Sequence, residues 1–135
     1  SQPGIQRMVF KLEDLLKRTD KDLNDHFEEQ GIAYLNFAFR WMNCILLREL
    51  HLRAVVRLWD TYISEDGGFE SFHVYVCAVL LQEYKEKLMV SDFQEALLFL
   101  QDMPCSEWNE RDIEPMLSQA FILSSLYEGA QSHLS

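Results

Sequence analysis

The chain has 135 residues, 48% of them apolar and 13% aromatic, which is the composition of one globular domain or large subdomain and not of a disordered segment. At that length it buries roughly two-thirds of the surface its unfolded form exposes. Its net charge of −10, from 22 acids against 12 bases, argues against a nucleic-acid or anionic-lipid partner, since either requires a dense cationic face.

In chain order, Ile5, Met8, Val9, Leu12, Leu15 and Leu16 form one stripe of an amphipathic helix, with Lys11, Glu13, Asp14 and Lys17 on the polar side. The pattern breaks at Thr19–Lys21. Asp20 then suits the N-cap of a short second helix carrying Leu23 and Phe27, and Gly31 suits its left-handed C-terminal position. Tyr34 to Leu47 is apolar on nearly every side, which predicts a central helix covered all round. After an Arg48-Glu49-Leu50-His51 corner, Leu52, Val55, Val56, Trp59 and Ile63 resume helical spacing, so the two segments form a hairpin.

Ser64-Glu65-Asp66-Gly67-Gly68 reads as a loop, followed by a long helix through Phe69, Phe72, Val76, Val79, Leu80 and Tyr84. Ser91 with Gln94 makes a capping box ahead of Phe93, Ala96, Leu97 and Leu100, and Met103-Pro104 closes that helix. The last helix is expected to begin after Asp112, with Pro115 in its first turn, and to end near Tyr127. Residues 129–135 are expected to fray, leaving residues 1–128 as the folded unit. No alternating run is long enough for a strand. The expected fold is all-α, with about seven helices.

The candidate chemistry is sparse. The acids from Asp60 to Glu70 have the wrong register for a calcium loop: with Gly67 or Gly68 at the sixth place, Tyr62 or Ile63 falls first. His73 and Cys77 have metal-ligand spacing, but neither His51 nor Cys105 brings a second spaced ligand, so a core cysteine and a boundary histidine are expected. Glu13/Asp14 and Glu28/Glu29 sit on polar helix faces. Arg40, Arg53 and Arg57 fall within helical patterns and Arg48 at a corner, none in the context of an inserted catalytic arginine. Trp41, Trp59 and Trp108 read as core or boundary anchors, and Trp108, in a polar linker, also keeps a partner-facing reading open. Hydrolase motifs and the phosphate-binding G-x-x-x-x-G-K-[ST] loop are absent. No catalytic, cofactor-binding or metal-binding residue is therefore assigned.

The odd, scattered cysteines Cys44, Cys77 and Cys105 point to a reducing, intracellular setting. Charges interrupt every apolar run before 18 residues, so a membrane span is not expected, nor is a signal peptide ahead of the first helix.

Three segments carry a family resemblance: Phe39-Arg40-Trp41 through Arg48-Glu49-Leu50; Arg57-Leu58-Trp59-Asp60-Thr61-Tyr62; and Leu23-Asn24-Asp25-His26-Phe27 to Gly31-Ile32. In this order and at this spacing they resemble the C-terminal half of a TBC (Tre-2/Bub2/Cdc16) domain, the fold of GTPase-activating proteins for Rab-type small GTPases. The resemblance implies a Rab partner and a cytoplasmic protein peripheral to Rab-bearing membranes. It also implies two inserted side chains, from Ile-x-x-Asp-x-x-Arg and Tyr-x-Gln motifs. Neither motif occurs here: no isoleucine has Asp at +3 and Arg at +6, and no tyrosine has Gln at +2. The implied role is therefore a scaffold for a catalytic half located upstream. A non-catalytic all-α adaptor is the competing reading. If the chain is half a domain, its first helices should present an apolar patch, covered by the missing part or by a second copy.

Overall fold

The computed structural model describes residues 3–38, 68–102 and 110–134. Within them the backbone forms α1 (Pro3–Thr19), α2 (Lys21–Gln30), a 3-10 turn (Tyr34–Asn36), α3 (Gly68–Glu83), α4 (Lys85–Met89), α5 (Phe93–Gln101) and α6 (Glu110–Leu134). There is no strand among the described residues, and the fold is all-α. The central helix beyond Ala38, the Arg-Glu-Leu corner, the Leu-Trp-Asp segment, the four arginines and three tryptophans weighed above, and Cys44, His51 and Cys105 lie outside the described residues.

The apolar stripe of α1 is buried as its spacing requires: Met8, Val9, Leu12, Leu15 and Leu16 all lose essentially all solvent contact. Helix α3 packs against both α1 and α6, α1 also packs on α2, and α2 touches α4. With nine consecutive buried residues from His73 to Leu81, α3 is the most enclosed helix among the described residues. It is apolar all round because neighbours cover it all round.

Local signals set the ends of α2. The Asp20 carboxylate accepts from the Leu23 N–H at 3.3 Å, and Gly31 takes φ 74°, its N–H returning to the Glu28 carbonyl. A side chain at that φ would be strained even though the space around it is open. Asp20 does a second job: Lys85 Nζ lies 2.7 Å from its Oδ1, tying the start of α2 to α4. Asp20→Ala is expected to destabilise the chain by about 0.5–2 kcal/mol through the lost cap. Chemical denaturation should show it, with Asp20→Asn retaining most of the stability.

Several sequence expectations are corrected. Tyr34 does not start the central helix: residues 34–36 form a 3-10 turn, with the Asn36 Oδ1 accepting from the Ala33 N–H at 2.9 Å. A local side-chain bond of this kind competes with helix continuation. Gly68 belongs to α3 and not to the loop before it. That helix also stops at Glu83, and α4 follows as a separate turn after Tyr84. The capping box at α5 is one residue later than expected. Asp92 Oδ1 accepts from the Glu95 N–H at 2.9 Å and Glu95 Oε1 from the Asp92 N–H at 3.1 Å. Ser91 instead donates its hydroxyl to the Lys87 carbonyl. An ionised carboxylate at the cap outcompetes a hydroxyl.

The last helix is longer than expected at both ends. It starts at Glu110, leaving Pro115 inside it past the first turn, and it continues through Gly129 to Leu134. A proline there costs one backbone hydrogen bond and a glycine about 1 kcal/mol, neither enough to end a helix anchored by packing.

Candidate functional site

The surface that stands out lies where α1, α2 and the 3-10 turn meet. Ile32, Tyr34 and Phe37 fold back over Phe27, whose ring meets Tyr34 at 5.5 Å and Phe37 at 5.9 Å, both edge to face. All four are buried. The result is a rigid aromatic floor, not a loose loop. Above it opens a groove of about 370 Å³ lined by Gln6, Val9, Phe10, Glu13, Glu28, Ile32, Ala33, Tyr34 and Leu35.

Gln6, Phe10 and Glu13 follow helical spacing and form one ridge of α1 facing this groove. Phe10 is 70% exposed and Leu35 56%, so the two largest apolar side chains at the rim are left to water. Phe10 lies on α1 and Leu35 on the 3-10 turn, and exposures of this size also occur at Val90, Leu98 and Leu126. The sequence carries a signal for Phe10, which falls off the buried stripe of α1, on the helix side that otherwise holds polar residues. Leu35 carries no such signal, because the apolar run from Tyr34 onward reads as one helix while the structure places it in a 3-10 turn.

Beneath the groove runs a polar thread. The Tyr34 hydroxyl donates to Asn24 Oδ1 at 2.9 Å, and Asn24 Nδ2 donates to Glu28 Oε1 at 3.3 Å. Both Asn24 and Tyr34 are buried. Burial pushes the Tyr34 hydroxyl well above the usual phenol range, and the charges of Glu13, Glu28 and Asp20 act in the same direction. Its proton stays put at any physiological pH, so Tyr34 is a structural donor and not an acid–base group.

A pH consequence follows. The unfolded chain releases this proton near pH 10.0, while the folded chain holds it to higher pH. The contribution of Tyr34 to stability is therefore complete below pH 10 and declines above it. Tyr34→Phe is expected to cost about 1–3 kcal/mol at neutral pH, because the buried Asn24 oxygen loses its donor. The gap to the parent chain should shrink as pH rises past 10, measured by paired denaturant titrations.

Glu13 lies 3.5 Å from Lys17, and Asp14 lies 3.2 Å from Arg18 while accepting from the Tyr127 hydroxyl at 2.6 Å. Glu28 takes the Asn24 amide, as above. These are partnered positions along helix surfaces. His73 and Cys77 sit on α3 with both side chains fully buried, so the histidine belongs to the core and not to its boundary. No group of three or more potential metal ligands occurs among the described residues. Nor is any helix there long and apolar enough to cross a membrane.

Comparison with known proteins gives this arrangement a context. The family model for the Rab-GTPase-TBC domain matches residues 1–89. The GTPase-activating protein gyp1 of Schizosaccharomyces pombe is 47% identical over 135 residues, which is 99% of this chain and 26% of that protein. Human TBC1 domain family member 22A is 48% identical over 134 residues, covering 98% of this chain and 26% of its own length. The crystal structure of the Ypt/Rab-GAP domain of Gyp1p superposes with a TM-score of 0.85 at 50% identity, over 93% of this chain and 39% of that one. The chain thus spans about a quarter of the length of these curated relatives. With two-thirds of its residues inside the family match, the chain belongs to the Rab-GTPase-TBC domain family.

Proposed function

We propose that this chain is the C-terminal lobe, within residues 1–128, of a GTPase-activating protein for Rab-type small GTPases. Its task is to brace the part of the domain that carries the catalytic side chains. The observation that carries this reading is the 50% identity and TM-score of 0.85 to a Ypt/Rab-GAP domain, maintained over nearly the whole chain.

The division of labour follows from what the chain lacks. Neither an Ile-x-x-Asp-x-x-Arg nor a Tyr-x-Gln motif is present in its 135 residues. The two acids lining the groove, Glu13 and Glu28, have partners, and Tyr34 is held neutral. What the lobe offers is a packed platform: three helices locked around α3 and an aromatic corner under the groove. Positioning from a distance is a real contribution to catalysis, because misplacing an inserted side chain by about 1 Å costs on the order of a hundredfold in rate. The chain itself is a regulator's component and not an enzyme, and its place is the cytoplasm beside Rab-bearing membranes.

The test is to join this chain to the upstream portion of its own domain and follow GTP hydrolysis by a panel of purified Rabs. Acceleration of at least one Rab supports the reading. A correctly folded, joined domain that accelerates none would favour an adaptor without catalytic output.

A further inference from the structure

We propose that Thr19 is a phosphorylation site, modified by an acid-directed protein kinase with ATP as donor, and that the phosphate loosens the corner where α1 meets α2. The inference stands whether or not any Rab is activated.

Sequence and placement together select this hydroxyl. Of the chain's serines and threonines only Thr19 and Ser125 have an acid at the third following place, Asp22 and Glu128, and Thr19 has Asp20 next to it as well. A kinase with a basic substrate groove reads that charge pattern. The structure separates the two candidates. Thr19 is exposed at the last residue of α1, and no side chain is buried between Leu16 and Leu23. A kinase can straighten residues 17–22 without drawing on the core. Ser125 lies within α6, between buried Leu123 and Tyr127, whose hydroxyl donates to Asp14 and whose ring packs on Tyr75. Straightening that stretch breaks the hold of α6 on α1 and α3.

The effect of the phosphate follows from its neighbours. In the unmodified chain the Thr19 hydroxyl donates to the Leu15 carbonyl at 2.7 Å, closing the last turn of α1. In the transfer its proton passes to the kinase's base, Oγ bonds to the γ-phosphorus, and the bond from that phosphorus to the bridging oxygen breaks to release ADP. The ester oxygen has no proton left to donate, so the Leu15 carbonyl loses its partner.

The new group carries about −1.5 to −2 charge. It stands at the C-terminal end of α1, which repels an anion, and the N-terminal end of α2 is already occupied by the Asp20 carboxylate. Asp20 and Asp22 add like-charge repulsion. Arg18, Lys21 and Lys85 already face carboxylates, those of Asp14 at 3.2 Å, Asp25 at 2.7 Å and Asp20 at 2.7 Å. A phosphate competes for these cations, and each one it draws away leaves an acid behind. Lys85 matters most, because its pair with Asp20 ties α2 to α4.

The test treats the 135-residue chain, and the chain joined to the upstream portion of its domain, with an acid-directed serine/threonine kinase and Mg-ATP. Intact mass counts the phosphoryl groups and peptide fragmentation places them. Thr19 should be modified in both forms. Thr19→Val should abolish incorporation, Thr19→Ser should retain it and Ser125→Ala should leave it unchanged, while Asp22→Lys should slow it at least about tenfold. On phosphorylation, amide exchange in α2 and α4 should rise at least about threefold. In Lys85→Met, where the tie to Asp20 is already gone, the rise in α4 should be absent. The proposal is overturned if Thr19 stays unmodified in either form, if the phosphoryl group goes to Ser125, or if a phosphate on Thr19 leaves exchange in α2 and α4 unchanged. Fragmentation of the parent chain locates the site directly, so the result does not depend on the stability of any variant.

Discussion

Phe27→Ala is expected to remove about 3–5 kcal/mol of stability, the range for emptying a buried aromatic site. Phe27 is fully buried, and its ring is the centre of the cluster with Tyr34 and Phe37. Those neighbours cannot easily collapse into the space. Tyr34 is held by its bond to Asn24, and Gly31 fixes the turn that brings it back. The site should therefore keep most of its cavity, which places the cost toward the top of the range. Phe27→Leu, which retains more volume, should lose clearly less. Urea titration of the three proteins checks both the size and the order. A loss below about 1 kcal/mol for Phe27→Ala would show that the corner is loose and the groove floor not preformed.

Tyr75→Ala should be comparably severe, about 3–5 kcal/mol by analogy with other buried aromatics, but for a different reason. Tyr75 lies in α3 and is fully buried. Its ring meets Tyr127 of α6 at 6.1 Å, edge to face, and the Lys11 ammonium of α1 stands 4.9 Å from its centroid. Three helices converge on this side chain. Tyr127 in turn donates to Asp14 of α1, and Arg18 stands 5.8 Å from the Tyr127 ring. Removing the Tyr75 ring should loosen α6 first, so amide exchange in α6 is expected to rise more than in α2. Equal loss of protection in both helices would mean that the described helices unfold as one unit and that Tyr75 has no particular hold on α6.

Much of the architecture could be read from residues whose physics is local. The stripe of α1, the Asp20 cap and the Gly31 stop each depend on a few neighbours in sequence, and each stands where the spacing put it. Sequence pattern and structure part where two local signals compete. Ser91 and Asp92 both suit an N-cap, and the carboxylate takes the role while the serine turns back to the preceding turn. Tyr34–Asn36 has the apolarity of a helix but the Asn36 side chain closes a tighter turn. Pro115 and Gly129 look like boundaries in isolation, yet α6 runs through both.

The candidate site was harder to read than the fold. An exposed Phe10 differs from a buried one only by what packs nearby, and periodicity can place it off the core face without saying what covers it. The polar thread from Tyr34 through Asn24 to Glu28 joins a turn to a helix, so no spacing rule exposes it. The absence of both finger motifs, by contrast, is a direct property of the sequence and gives the scaffold reading its sharpest form.

The central claim is that the groups that speed GTP hydrolysis lie outside these 135 residues. Its most direct test is single-turnover GTP hydrolysis by Rabs that the joined domain activates, with the 135-residue chain alone added in large excess. Hydrolysis should remain at the intrinsic rate, because an inserted arginine worth about 10³–10⁵ in rate is missing. A reproducible acceleration of tenfold or more by the chain alone would contradict the account, since it would place catalytic side chains within the lobe itself.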